Sequence, residues 1–171
     1  MSRSSGLSAL AARPAASHTH SLVADLLHRF ELWTVLECHA VSRAALAANR
    51  DMAAVRAVFP ELNQQVLAPT GPAEWQRLEL RLHCRITEQA GNPLLADMVE
   101  RICRELQAMY GRHVPRPMRR PGTLWLLQCQ HRKILSCIEA GQAEEGMLHT
   151  RAHLHLIRDQ LLAALNEAPP T

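Results

Sequence analysis

The sequence predicts an all-α protein, an antiparallel bundle of about six helices. Leu and Ala, both strong helix formers, dominate a composition that is 47% apolar and 20% charged. Signals for strands are almost absent, because aromatic residues make up only 4% of the chain and no Asn-Gly or Asp-Gly hairpin turn occurs. Predicted helices with mostly short connections favour packing between antiparallel neighbours.

The first helix is predicted over residues 21–48. Apolar residues recur there every three or four positions and form one helical stripe: Leu22, Leu26, Phe30, Trp33, Leu36 and Ala40. Asp51 can cap a second helix that extends to about Leu67. Because Pro60 lacks a backbone N–H, it is expected to kink or split this second helix.

The third and fourth helices are predicted over residues 72–90 and 93–110, with a sharp turn between them. Gly91 can take the left-handed conformation that ends a helix, and Asn92 can cap the next one. Pro93 then occupies a first-turn position, where its missing N–H costs nothing. This arrangement predicts that the two helices are antiparallel neighbours.

An Arg- and Pro-rich linker is predicted over residues 111–122, followed by a fifth helix over 123–140. Gly141 breaks that helix, and a sixth helix is predicted over 142–168, before two terminal prolines. The fifth and sixth helices are therefore expected to form a hairpin about Gly141.

Composition also limits the functional classes. Residues 1–20 are rich in Ser and Ala and are expected to be a disordered leader, which leaves 21–168 as one folded domain. No apolar run is long enough to cross a membrane, and the net charge of +3 is too small to indicate a nucleic-acid surface. Five cysteines without a CxxC pair fit a reducing cytoplasm. Phosphate-binding glycine loops, GxSxG elbows and HExxH helices are all missing from the sequence.

The ten histidines are the main candidates for chemistry. Glu79 and His83 are four residues apart, which places them one turn apart on one helix face, where they can share a metal ion. An exposed Glu and His at this spacing more often form a modest surface pair. Taken alone, the spacing does not decide between these two interpretations.

The predicted hairpin brings further histidines together. His131 precedes Gly141 by ten residues and His153 follows it by twelve. At 1.5 Å per residue they stand roughly 15 and 18 Å from the turn, in nearly the same layer. His149, at roughly 12 Å, satisfies the same criterion, so periodicity leaves both His149 and His153 open. Core histidines satisfied by hydrogen bonds are the alternative to a metal site.

Several motifs resemble the FadR C-terminal domain, FCD, which is the ligand-binding domain of FadR-type regulators of the GntR family. The resemblance covers about residues 22–166. It is carried by Glu31-Leu-Trp-Thr-Val-Leu-Glu37, Glu79-Leu-Arg-Leu-His83, Ala90-Gly-Asn-Pro-Leu-Leu95, His131-Arg-Lys-Ile-Leu-Ser-Cys-Ile138 and Arg151-Ala-His-Leu154.

This resemblance implies a divalent metal ion, Zn first and Ni or Mn as alternatives. Its implied ligands are the four matching residues Glu79, His83, His131 and His153. Glu79 stands where most metal-binding members have Asp, and Trp33 stands where the family has an Arg that can hold an anionic effector. Arg132 is a candidate effector contact, and His149 a candidate hydrogen-bond partner for a metal ligand.

The expected function is that of a metal-containing effector-binding domain that recognises a small organic acid and works as a homodimer. About twenty residues precede the first helix, too few for the winged helix-turn-helix of these regulators, so specific DNA binding by this chain alone is not expected. Two alternatives remain open. A metalloenzyme, such as a lyase, isomerase or hydrolase, could use the same ion and is less expected than a sensor, and a metal-free helical module would need no ion.

Overall fold

A computed structural model describes residues 13–110 and 121–167, and every regular element in these ranges is helical. The helices are α1 (Arg13–Leu46), α2 (Met52–Arg56), α3 (Phe59–Leu67), α4 (Pro72–Glu88), α5 (Pro93–Tyr110), α6 (Pro121–Glu139) and α7 (Ala143–Glu167). The predicted all-α class is therefore confirmed. Most boundaries lie within two residues of the predicted ones, and the predicted linker lies almost wholly outside the described residues.

The start of α1 differs most from the prediction. Helix α1 begins at Arg13, eight residues before the predicted start at residue 21. Pro14 is tolerated in this extension because it falls in the first turn, where its missing N–H breaks no helical bond. Residues 1–12 of the expected leader lie outside the described residues.

The second predicted helix is split in two, as expected from its proline. Helix α2 ends at Arg56, and α3 begins at Phe59 with Pro60 in its first turn. Asp51 caps α2, since its side chain accepts hydrogen bonds from the backbone N–H groups of Ala53 and Ala54.

Helix α1 is the central element of the bundle, because it packs against α4, α5, α6 and α7. Its buried face contributes Leu26, Phe30, Trp33 and Val41 to one continuous hydrophobic core. Helices α6 and α7 form the predicted hairpin, and Gly141 makes the turn with a φ of 72°. Helices α4, α5, α6 and α7 thus pack around α1.

No helix among the described residues is both long and apolar enough to span a bilayer. The length of α1 does not change this result, because charged side chains are spread along it.

Candidate metal centre

Four polar side chains converge in the core layer between α4, α6 and α7. The Nε2 atom of His153 lies 3.1 Å from Glu79 Oε1, 3.0 Å from His131 Nε2 and 3.2 Å from His83 Nε2. Glu79 Oε1 is also 3.2 Å from His131 Nε2 and 3.6 Å from His83 Nε2. All four ligand atoms lie within 4.8 Å of one another, and all four residues are buried.

Local periodicity and the hairpin together produce this convergence. Glu79 and His83 lie one turn apart on the buried face of α4, where each directly follows a core residue, Leu78 and Leu82 respectively. His131 on α6 and His153 on α7 occupy the same layer of the α6–α7 hairpin, as their distances from Gly141 predicted. The pair on α4 then faces the pair on the hairpin.

Each of the three histidines uses its other ring nitrogen for a separate hydrogen bond. His83 Nδ1 contacts Glu37 Oε1, His131 Nδ1 lies 3.2 Å from Gln128 Oε1, and His153 Nδ1 lies 3.0 Å from Gln130 Oε1. Carboxylate and amide oxygens only accept, so each Nδ1 must donate. The Nε2 atoms therefore point toward one another and toward Glu79, where they can share a proton or a cation.

Glu37 is the site residue that sequence reasoning did not assign. It lies on α1, is fully buried, and accepts hydrogen bonds from His83 Nδ1 and from the indole N–H of Trp33. Its position in the helix-one motif was visible in the sequence, but no spacing relates it to a residue 46 positions away. A carboxylate on the far side of a histidine orients the ring and strengthens its ligand nitrogen.

Burial and neighbouring charges shift the pKa values of three of the four converging residues. Burial alone lowers the pKa of His83, but the Glu37 and Glu79 carboxylates outweigh it and raise that pKa to about 10. Burial and the neighbouring His131 lower the pKa of His153 to about 3. Although burial opposes its charge, the three histidines hold the pKa of the Glu79 carboxyl well below its ordinary value. The buried carboxylates thus attract positive charge to this layer.

These residues fit a divalent metal ion. Ligands at 2.0–2.1 Å from a common ion lie about 2.9–3.4 Å apart at tetrahedral or octahedral angles. Four of the distances between these ligand atoms, from 3.0 to 3.2 Å, fall in that range, and the distance from Glu79 Oε1 to His83 Nε2 is 3.6 Å. Two buried carboxylates, Glu37 and Glu79, balance the charge of a dication held by neutral histidines. Glu79 Oε2 is buried and has no hydrogen-bond partner among the described residues, so it is free to turn toward an ion or a ligand.

A small cavity of about 50 Å³ lies beside this group, between α1, α4, α5 and α7. Its walls are mostly apolar and carry a few polar groups: Phe30, Trp33, Trp75, Gln76, Glu79, Leu80, Leu106, Gln107, Ile157 and Leu161. None of the described lysines or arginines lines it. The cavity can therefore receive a small, largely apolar molecule that reaches the Glu79 side of the group.

The two other predicted site residues lie outside the converging group. Arg132 is exposed on α6, and its guanidinium donates to Asn63 Oδ1 at 2.9 Å, away from the cavity beside Glu79. His149 is half-buried on α7, one turn before His153, and is not among the four converging residues. The predicted ligand set therefore comes together, whereas these two side chains do not reach it.

The fold and this buried group define a class of protein, an all-helical domain with a three-histidine, one-glutamate site in its core. The FCD domain family matches residues 25–156, most of the bundle, and the chain belongs to that family. No curated protein sequence matches the chain.

Proposed function

We propose that this chain is the metal-containing effector-binding domain of a GntR/FadR-type transcriptional regulator. Glu79, His83, His131 and His153 would hold a divalent ion, with Zn the first choice and Ni or Mn the alternatives. The ion would offer a Lewis-acidic position to an oxygen atom of a small organic acid.

One observation carries the proposal. Three histidines direct their Nε2 atoms at a single point because all three Nδ1 atoms donate elsewhere, and a carboxylate oxygen meets them there. Core histidines satisfied only by hydrogen bonds would pair each acceptor with a donor, whereas here the one Nε2 proton that the raised pKa of His83 supplies faces several acceptors. This contrast favours a metal site over satisfied core histidines.

The direct test is the metal content of untagged protein purified without chelator, measured by mass spectrometry. We expect about one transition-metal ion per chain in the wild type and a loss of metal in His131→Ala and His153→Ala. His149→Ala is the matched control, because it removes a histidine from the same helix without touching the group. Wild-type protein that takes up no Zn, Ni or Mn, or unchanged metal content in both ligand variants, would overturn the proposal.

The cavity beside Glu79 supports a monocarboxylic effector with a short apolar tail. Its apolar walls suit an aliphatic chain, and without a lysine or arginine in the lining no side chain offsets a second carboxylate. Its volume of about 50 Å³ is well below the roughly 150 Å³ that accept benzene, so an acid of benzene's size, butyrate included, enters only if the lining side chains move.

A matched pair of acids tests this choice of effector. Butyrate and succinate both have four carbons, and only succinate carries a second carboxylate. We expect the zinc-loaded protein to bind butyrate more tightly in calorimetric titrations, with zinc retention checked after each run. Tighter binding of succinate would contradict the monocarboxylate assignment. Saturable binding without turnover supports a sensor, whereas metal-dependent turnover of a bound acid would favour the metalloenzyme alternative.

Assembly into homodimers stays a prediction from the family resemblance. Light scattering on the purified chain tests it directly. A dimeric mass is expected, and a monomeric mass at micromolar concentrations would contradict it.

A further inference from the structure

Arg132 and Asn63 form the outer part of a hydrogen-bond chain that ends on a proposed metal ligand. Arg132 donates to Asn63 Oδ1 at 2.9 Å, and Gln128 Nε2 donates to the same oxygen at 2.9 Å. The other end of Gln128, its Oε1, lies 3.2 Å from His131 Nδ1. Gln128 and His131 are buried, Asn63 is half-buried and Arg132 is exposed.

The orientation of each amide follows from the arginine. A guanidinium can only donate, so the Asn63 atom that faces it must be the carbonyl oxygen. That oxygen also faces Gln128, which must therefore present its NH₂ group. Gln128 then has only its oxygen to offer His131, and the proton of the His131 ring must sit on Nδ1.

Reversing both amides gives the opposite result. If Asn63 presented its NH₂ group to Gln128, the Gln128 oxygen would turn outward and its NH₂ group would face His131 Nδ1. Nδ1 would then have to accept, and the ring proton would move to Nε2, where it could donate to Glu79 Oε1 at 3.2 Å. A histidine nitrogen that carries a proton cannot bind a metal.

We infer that Arg132, acting through Asn63 and Gln128, is a positioning residue that holds the His131 ring in the tautomer with Nε2 free to bind an ion. The benefit of this tautomer for metal binding rests on the proposed function. The tautomer itself is a property of the metal-free protein and can be measured there. Arg132 thereby influences the site without contacting the ion or the cavity beside Glu79.

The chain offers a rescue variant as well as a loss variant. Arg132→Met removes the group that fixes the Asn63 oxygen, so both amide orientations become accessible. Adding Asn63→Asp to Arg132→Met places a carboxylate at position 63, whose oxygens only accept hydrogen bonds. Gln128 must then present its NH₂ group again. Lys133→Met removes the same charge from a neighbouring exposed position on α6 and is the control.

The first readout is the protonation pattern of the His131 ring in metal-free protein, from two-bond ¹H–¹⁵N correlation spectra. We expect Nδ1–H in the wild type, in Lys133→Met and in the Arg132→Met/Asn63→Asp double variant. Arg132→Met should show a mixture or Nε2–H. An Nε2–H or doubly protonated ring in the wild type, or an unchanged Nδ1–H ring in Arg132→Met, would overturn the inference.

The second readout is zinc affinity by competition with a chromophoric chelator. Arg132→Met should bind zinc about tenfold more weakly than the wild type, which is the lower end of the effects seen for residues that hydrogen-bond a metal ligand. The zinc affinity of the double variant should return to within about threefold of the wild-type value. Equal weakening in both would show a loss of packing instead and would overturn the inference. Wild-type protein that binds no zinc would defeat the proposed function, while the tautomer result would still decide the role of Arg132.

Discussion

The Glu37 carboxylate contacts Nδ1 of His83, so a residue of the first helix fixes the ring of a histidine on the fourth. Both side chains are fully buried, and the second oxygen of Glu37 accepts the indole N–H of Trp33. Since both side chains are shielded from solvent, each ring nitrogen of His83 finds its partner inside the core. Nδ1 donates to Glu37, and Nε2 faces Glu79 and His153. The proposed metal centre thus extends to α1.

Replacing Glu37 by Gln should weaken zinc binding about 10- to 100-fold. The substitution keeps the shape of the side chain but removes one of the two buried negative charges that balance a dication. Competition with a chromophoric chelator measures the affinity. Glu31→Gln removes the same charge from an exposed position on α1 and should leave the affinity unchanged. Equal affinities in the two variants would contradict a role for Glu37.

Metal binding should release about one proton per ion at pH 7 to 8. The pKa of His83 in the metal-free fold is about 10, against 6.5 for a free histidine, so the ring is protonated and Nε2 must lose its proton to bind an ion. Zinc affinity should therefore rise about tenfold per pH unit in this range. Titration calorimetry in buffers of different ionisation enthalpy counts the protons, and a heat that is independent of buffer would contradict the prediction.

The same pKa predicts how the stability of the metal-free protein depends on pH. A raised pKa means that the folded state holds the proton more tightly than the unfolded state does. The stabilisation by protonated His83 is therefore complete below about pH 6.5 and is lost as the pH rises toward 10. Urea unfolding of chelator-treated protein at several pH values measures it. Rising stability across this range would contradict the assigned partner charges.

Zinc should stabilise the fold. The metal-free group places two carboxylates and one protonated histidine in the core, and a dication that displaces this proton leaves the group neutral. At free zinc one hundred times the Kd, the gain is about 2.7 kcal/mol. For a domain of this size that corresponds to an increase in Tm of roughly 5–10 °C, measurable by circular dichroism. A His131→Ala/His153→Ala double variant should show no shift, and an equal shift there would assign the effect to zinc bound elsewhere.

Gly146 is needed where α7 crosses α1. A Cβ atom at this position would lie 2.9 Å from Val41 Cγ1 and 3.4 Å from Cys137 Cβ. Val41 is fully buried and β-branched, so it has little freedom to move aside. Gly146→Ala should therefore lower the free energy of unfolding by about 1–3 kcal/mol, despite the better helix propensity of Ala. Urea unfolding tests this.

Gly122→Ala is the control for that experiment. Gly122 also lies in a helix, but a Cβ atom there would meet nothing within 4 Å. This variant should be unchanged or more stable by up to about 1 kcal/mol. If Gly146→Ala is equally well tolerated, the close approach of α1 and α7 does not constrain the bundle.

Much of the fold could be predicted from the sequence because its signals are local. The apolar stripe of α1, the cap of Asp51 and the break at Pro60 each depend on residues only a few positions apart. The start of α1 was predicted eight residues too late, since the apolar stripe begins at Leu22 whereas the helix continues through a weakly apolar stretch.

The candidate site could be predicted only in part. Spacing placed Glu79 beside His83 and brought His131 into the layer of His149 or His153, but it could not choose between these two. The family resemblance favoured His153, and in the structure His153 enters the buried group while His149 remains half-buried outside it. Which face of α7 turns inward depends on its packing against α1 and α6.

The sequence by itself determined the helices and the residue pairs within a helix, because hydrogen bonds and periodicity inside a helix link residues a few positions apart. Only the tertiary structure brought Glu37 to His83, and Asn63 to Gln128 and Arg132. Those contacts join helices far apart in the chain. Their donors and acceptors are fixed by how the helices pack, which no local spacing specifies.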